Sequence, residues 1–368
     1  MPFYVLSEHI SRFCLKSLII AIVILSITTA RSAEIAPLQD HGQLSPHEQV
    51  RNAGYVLKKV KINRITLSYA EGPDTGPPLV LLHAQLLDWF SYYRVLPELA
   101  KSFHVYVIDY PGHGQTKTPQ NYSMTARQTG SDLGAFIRRV IQKPVYISGN
   151  SSGGLLAVWL AANRPALIKA ALLEDPPLFS SEYPRIKQTI ADRAFRTSFT
   201  AVTRDHPSDF LLYWIHSNAQ FFRNHTGPGT PFLLTQAVRA YRWRNPGKPP
   251  ELKILTNDTV RMLIRGLDKY DPRFGAAFYD GTWNEGFSHA QALARIQCPV
   301  MLMQANYSIL ADGSLDGAMS KEDAEKTLSL LHHGTYLRVN ATHVVNLDKP
   351  EIFLQAVNHF FLSQKAQP

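Results

Sequence analysis

Residues 146–154 read "YISGNSSGG". An apolar run stops at a glycine, two hydroxyls follow, and "SGGLLAVWLAANRP" continues with apolar residues three and four apart. That is a strand followed at once by a helix. A residue on so tight a turn is lifted above the sheet edge on a strained backbone, which flanking glycines accommodate. Gly149 and Gly153 stand two residues to either side of Ser151. This G-x-S-x-G register selects Ser151, not Ser152, as the exposed hydroxyl.

Working outward, short apolar runs alternate with helix-period segments. "YVLKKVKI" and "ITLSYAEG", joined by "NR", read as a hairpin at the start of a sheet. "PLVLLHA", "FHVYVIDYP", "PVYISGN", "IKAALLED", "PVMLMQAN" and "TYLRVNA" are nearly continuous apolar runs, the pattern of parallel strands buried on both faces. Helical periods between them predict an open α/β sheet with right-handed crossovers. From Leu178 to Ile296 no such run occurs, and the interval is rich in Phe, Tyr, Trp and Arg. A loop of that length is not expected in a compact domain, so 178–296 is read as a helical cap inserted between core parts 54–177 and 297–368.

The remaining stretches bound the class. A hydrophobic fraction of 45% with 18% charged residues is that of a globular chain and excludes disorder. Arg12 and Lys16 precede "LIIAIVILSI" and the small polar "TTARSA", so residues 1–33 are expected to be a cleavable signal, followed by a linker over 34–53. The expected location is secreted or periplasmic, with an uncleaved membrane anchor as the alternative. Loss of this segment removes Cys14 and leaves Cys298 alone, so no internal disulfide supports the mature fold. The net charge of +9 contains no block of like charges, and no nucleic-acid motif accompanies it, so a solvated basic exterior is expected.

Four motifs together carry a resemblance. "VLLHAQ" at 80–85, "DYPGHGQTKTP" at 109–119, "GNSSG" at 149–153 and "ATHVVNLDKPEIF" at 341–353 stand in the order found in the α/β-hydrolase family, which this chain resembles over nearly its whole mature length. The resemblance implies a mostly parallel eight-stranded sheet with helices on both faces and an inserted cap. It implies Ser151 as nucleophile and His343 as general base. It also implies an oxyanion hole from the backbone N–H groups of Ser152 and Gln85. His83 and His113 match positions that are structural in the family. The family's glycine after the histidine is Ala84 here, whose methyl restricts the backbone next to the Gln85 donor.

The carboxylate that completes the set is not at the family's commonest place. After "PVMLM" the chain offers Asn306 and Ser308 where an acid is sought, with Asp312 and Asp316 several residues late. The family's other placement is the end of the strand after the nucleophile helix, where "LLEDPP" puts Asp175. Alternation along a strand points Glu174 and Asp175 to opposite faces, so only one can aim at His343. Asp175 is the favoured acid, with Glu174 and Asp312 as alternatives.

No H-E-x-x-H, paired cysteine or Walker loop is present, so neither metal nor nucleotide cofactor is expected. His289, near the end of the cap, is expected to be a surface histidine. "NSS" makes Asn150 a formal glycan acceptor that the tight turn disfavours. The expected activity is hydrolysis of an ester or related acyl bond of a small to medium apolar substrate, through an acyl-enzyme. Carbon–carbon bond hydrolysis, cofactor-free haloperoxidation and catalytically weak ligand binding are the alternatives on the same scaffold.

Overall fold

A computed structural model describes residues 44–227 and 229–363 of the chain. The expected signal, residues 1–33, lies outside the described residues. Within the stretch read as a linker, Pro46–Asn52 form a helix, α1, opened by a capping box between Ser45 and Glu48.

The described residues contain ten strands: β1 (Val56–Ile62), β2 (Ile65–Glu71), β3 (Pro78–Leu82), β4 (His104–Asp109), β5 (Val145–Asn150), β6 (Ile168–Glu174), β7 (Val300–Gln304), β8 (Ser308–Ile309), β9 (Leu315–Asp316) and β10 (Gly334–Arg338). Eight of them form one sheet in the order β1-β2-β4-β3-β5-β6-β7-β10, and β8 and β9 make a separate ribbon. β1 pairs antiparallel with β2, and β2 with β4; every later pair in the sheet is parallel. Asn63, left-handed at φ 51°, turns the β1–β2 hairpin.

The helices are α2 (Leu96–Leu99), α3 (Ala126–Phe136), α4 (Ser152–Asn163), α5 (Asp192–Thr200), α6 (Phe210–Ser217), α7 (Ala219–Thr226), α8 (Thr230–Arg244), α9 (Asp258–Leu267), α10 (Pro272–Asp280), α11 (His289–Arg295), α12 (Lys321–Leu330), α13 (Val345–Asp348) and α14 (Pro350–Ser363). Alternation along β3 sends Val80 and Leu82 into one apolar core, and Leu79 and Leu81 into a second on the opposite face. α3, α4 and α11 cover the first; α2 and α14 cover the second. α4 is buried from Ser152 through Ala162, as an all-apolar helix must be. Each of its large aliphatic side chains contributes on the order of 1.5–3 kcal/mol of burial.

Between β6 and β7 the described residues contain helices α5–α11 and no strand. This insertion rests on the loops at the C-terminal ends of the central strands. Asp271 N–H donates to Gly112 O at 2.9 Å. The His113 ring meets Tyr270 and Phe274 at 5.1 and 4.7 Å.

Candidate active site

Ser151 stands alone between the last residue of β5 and the first of α4 at φ 56°, ψ −122°, a conformation that L-residues rarely adopt. Neighbouring backbone enforces it. A Cβ at Gly149 would lie 2.2 Å from Gly153 O, and one at Gly153 would lie 2.2 Å from Leu82 O, so helix, strand and turn touch where only glycine fits. Ser151 N–H donates to Glu174 O at 2.9 Å, which ties the turn to the end of β6.

The two acidic residues at that strand end diverge, as alternation requires. Asp175, left-handed at φ 44° and 1% exposed, turns its Oδ2 to His343 Nδ1 at 2.6 Å. Its Oδ1 accepts from Ala305 N–H at 3.0 Å. With Nδ1 donating to the carboxylate, the imidazole leaves Nε2 as its acceptor. Glu174 points into the protein, fully buried, and accepts from Asn346 N–H at 2.8 Å. Burial pushes its pKa up to about 8. Asp312 is engaged elsewhere. It sits in the exposed turn between β8 and β9, where its carboxylate accepts from the backbone N–H and hydroxyl of Ser314. Asn306, the other position first searched for an acid, donates instead to Asn340 Oδ1.

Asn150 was legible only as a sequon and proves to be the latch of the site. Fully buried, its Nδ2 donates to His343 O at 2.9 Å and to Glu174 O at 3.1 Å. One amide therefore holds the backbone of the histidine and the end of the acid's strand beside Ser151. A side chain of one strand bonding two distant carbonyls leaves no periodic trace in sequence.

Ser152 opens α4, and Gln85 follows β3. Among the described residues neither backbone N–H has a partner. The Ser152 hydroxyl is occupied: it meets the Tyr110 hydroxyl at 2.9 Å, and Tyr110 donates to His83 O at 3.1 Å. Ala84 is buried without positive φ, and the left-handed residue of this loop is Leu86, at φ 66°. The methyl at 84 is tolerated because the turn falls two residues later. The Gln85 side chain reaches the insertion, donating to Tyr270 Oη at 2.7 Å.

His83 and His113 are fully buried, and burial holds both towards the neutral form, His83 down to about 4. His83 stacks on the Tyr110 ring at 4.5 Å, and His113 meets the same ring at a tilt at 4.4 Å. His289 departs from expectation. It is fully buried, accepts from Phe179 N–H at 2.9 Å, and is held down to about 3 by burial. The sequence reading missed this because Phe179, whose ring and N–H meet His289, stands 110 residues earlier at the start of the insertion.

A family model described as "alpha/beta hydrolase fold" matches residues 77–350. The chain is 31% identical over 308 residues to the (E)-2-((N-methylformamido)methylene)succinate hydrolase of Acinetobacter baylyi, covering 80% of this chain and 94% of that protein. Shorter matches reach the magnesium-chelatase 30 kDa subunit of Rhodobacter capsulatus, 31% identical, and the pimeloyl-[acyl-carrier protein] methyl ester esterase of Nitrosospira multiformis, 30% identical. They cover 26% and 28% of this chain but only 33% and 40% of those proteins. Among solved structures, a putative lipase from Acinetobacter baumannii superposes with a TM-score of 0.61 at 22% identity, over 89% of this chain and 99% of that one.

Proposed function

The chain belongs to the α/β-hydrolase fold family, and from that premise we propose that it is a serine hydrolase cleaving an ester or related acyl bond of a small to medium apolar substrate. One observation carries the reading: His343 is oriented by buried Asp175 at 2.6 Å while Asn150 holds its backbone beside the strained Ser151. In this mechanism Ser151 Oγ attacks the acyl carbon as His343 Nε2 takes its proton, and the same proton then passes to the leaving group. Asp175 keeps the imidazole in that tautomer and stabilises the imidazolium that forms. The N–H groups of Ser152 and Gln85 face the developing oxyanion at the N-terminus of α4, where partial positive charge favours it. Water then repeats the sequence on the acyl-enzyme.

The helices between β6 and β7 act as a cap, and their Tyr270 fixes the side chain of Gln85. The esterase relative supports the ester reading, and the succinate hydrolase relative supports hydrolysis more broadly. Export by a cleaved N-terminal segment places the enzyme in a secreted or periplasmic compartment; Met1 intact on exported protein would contradict it.

A fluorophosphonate probe and p-nitrophenyl esters of graded chain length test the assignment. The probe should label wild type and not Ser151→Ala. Asp175→Asn should lower ester turnover about 10³- to 10⁴-fold, and Asp312→Asn should leave it unchanged. Absence of labelling in folded protein, or normal turnover in Asp175→Asn, would overturn the reading.

A further inference from the structure

α8 turns two unlike faces to its surroundings. Pro231, Leu234, Thr235 and Val238 are buried. Positions 232, 233, 236, 239, 240, 243 and 244 are exposed and recur at the helical period. An outward stripe of that kind is ordinarily polar with charges of both signs. Here it holds Phe232, Leu233, Ala240 and Trp243 with Gln236, Arg239 and Arg244, and no carboxylate. Phe232 is 67% exposed and Trp243 83%.

The segment after the helix extends this surface. Ile254, 74% exposed, lines a shallow cleft of about 290 Å³ together with Leu233. Lys248 and Lys253 are exposed as well. Between residues 230 and 257 the one acidic side chain is Glu251, and it is committed to Arg265 and His47. Arg242 is likewise committed, to Asp209 and Asp268. Among the described residues, Arg239, Arg244 and Lys248 join no ion pair. The exposed face is thus apolar and aromatic at its centre, cationic at its margin, and free of acids.

We propose that this face of α8 docks the protein on an anionic lipid surface. Tryptophan and phenylalanine settle at the boundary between headgroups and acyl chains, and arginine and lysine beside them are drawn to anionic headgroups. The charge pattern argues against a second copy of the chain as the occupant. A two-fold contact through the same face would set Arg239 and Arg244 against a copy of a stripe that carries no carboxylate to pair them.

Trp243 makes the proposal directly measurable. The other four tryptophans, Trp89, Trp159, Trp214 and Trp283, are at most 8% exposed, so only Trp243 stands where a lipid could reach it. Full-length protein is mixed with phosphatidylcholine vesicles with and without about one-third phosphatidylglycerol. With anionic vesicles, emission should shift to the blue and be quenched by brominated acyl chains. Trp243→Phe should abolish the quenching. Arg239→Gln with Arg244→Gln, both exposed and unpaired, should weaken vesicle binding about tenfold or more. Three outcomes would overturn the proposal. One is Trp243 emission unaltered by anionic vesicles, even where the protein sediments with them through another segment. The second is an equal response to uncharged vesicles. The third is a blue shift driven by protein concentration alone, which would identify a second copy as the occupant.

Discussion

The sheet edge that carries Ser151, Asp175 and His343 and the helical insertion that rests on it are held by opposite means. The sheet is built mostly from apolar strands, and at its working edge the Asp175 carboxylate meets the His343 imidazole. The insertion is stapled by arginines. Arg242 bridges Asp209 and Asp268, Arg265 bridges Asp88 and Glu251, and Arg273 is paired with Asp271. Hydrophobic burial is non-directional and resists local change, whereas a desolvated ion pair depends on both partners and a fixed geometry. The sheet should therefore keep its shape under substitution, while the insertion can be loosened at single side chains.

The largest test of that contrast is Arg265→Ala. Arg265 and Asp88 are 6% and 8% exposed at their side chains, and the guanidinium also covers the Phe90 ring at 4.7 Å. Removing it strands the buried Asp88 carboxyl and should cost about 3–5 kcal/mol. Hydrogen exchange should rise in α9 and leave β5 and β6 protected; a uniform rise would show that sheet and insertion open as one unit.

A smaller effect is expected where the two regions touch. A Cβ on Gly266 of α9 would lie 2.2 Å from Leu86 O, one residue beyond the Gln85 donor. Gly266→Ala should shift that loop and lower kcat roughly 10- to 100-fold with KM little changed. An unchanged kcat would separate the insertion from the geometry of the loop.

The smallest effect belongs to the sheet side and reads out in pH. The unfolded chain gives up the Glu174 proton near the ordinary carboxyl range, whereas the native protein holds it up to about 8. Stability from this group is full at low pH and declines as pH rises through that window. Between pH 7 and pH 8, wild type should lose roughly 1 kcal/mol relative to Glu174→Gln. Thermal melts of the two proteins at both pH values measure it, and parallel melts would contradict the assignment.

Much of the sheet could be read from sequence because continuous apolar runs and the strand-to-helix glycine pattern are local signals. What escaped was non-local. The double donation by Asn150 joins residues 150, 174 and 343. Burial of His289 depends on Phe179, 110 residues away at the other end of the insertion. The aromatic content of 178–296 pointed to a packed cap, yet Phe232 and Trp243 face outward. Composition counts aromatic side chains without saying which face of a helix they occupy.

β6 and β7 are adjacent parallel strands, so the insertion leaves and rejoins the sheet between neighbours. Its stem is closed by Asp175, whose N–H donates to Met303 O and whose carboxylate accepts from Ala305 N–H. Asp175 is thus a fastener shared by two parts of the molecule: the carboxylate that orients His343 also ties down the chain as it leaves β7, so its loss should disturb the site and the stem of the insertion together.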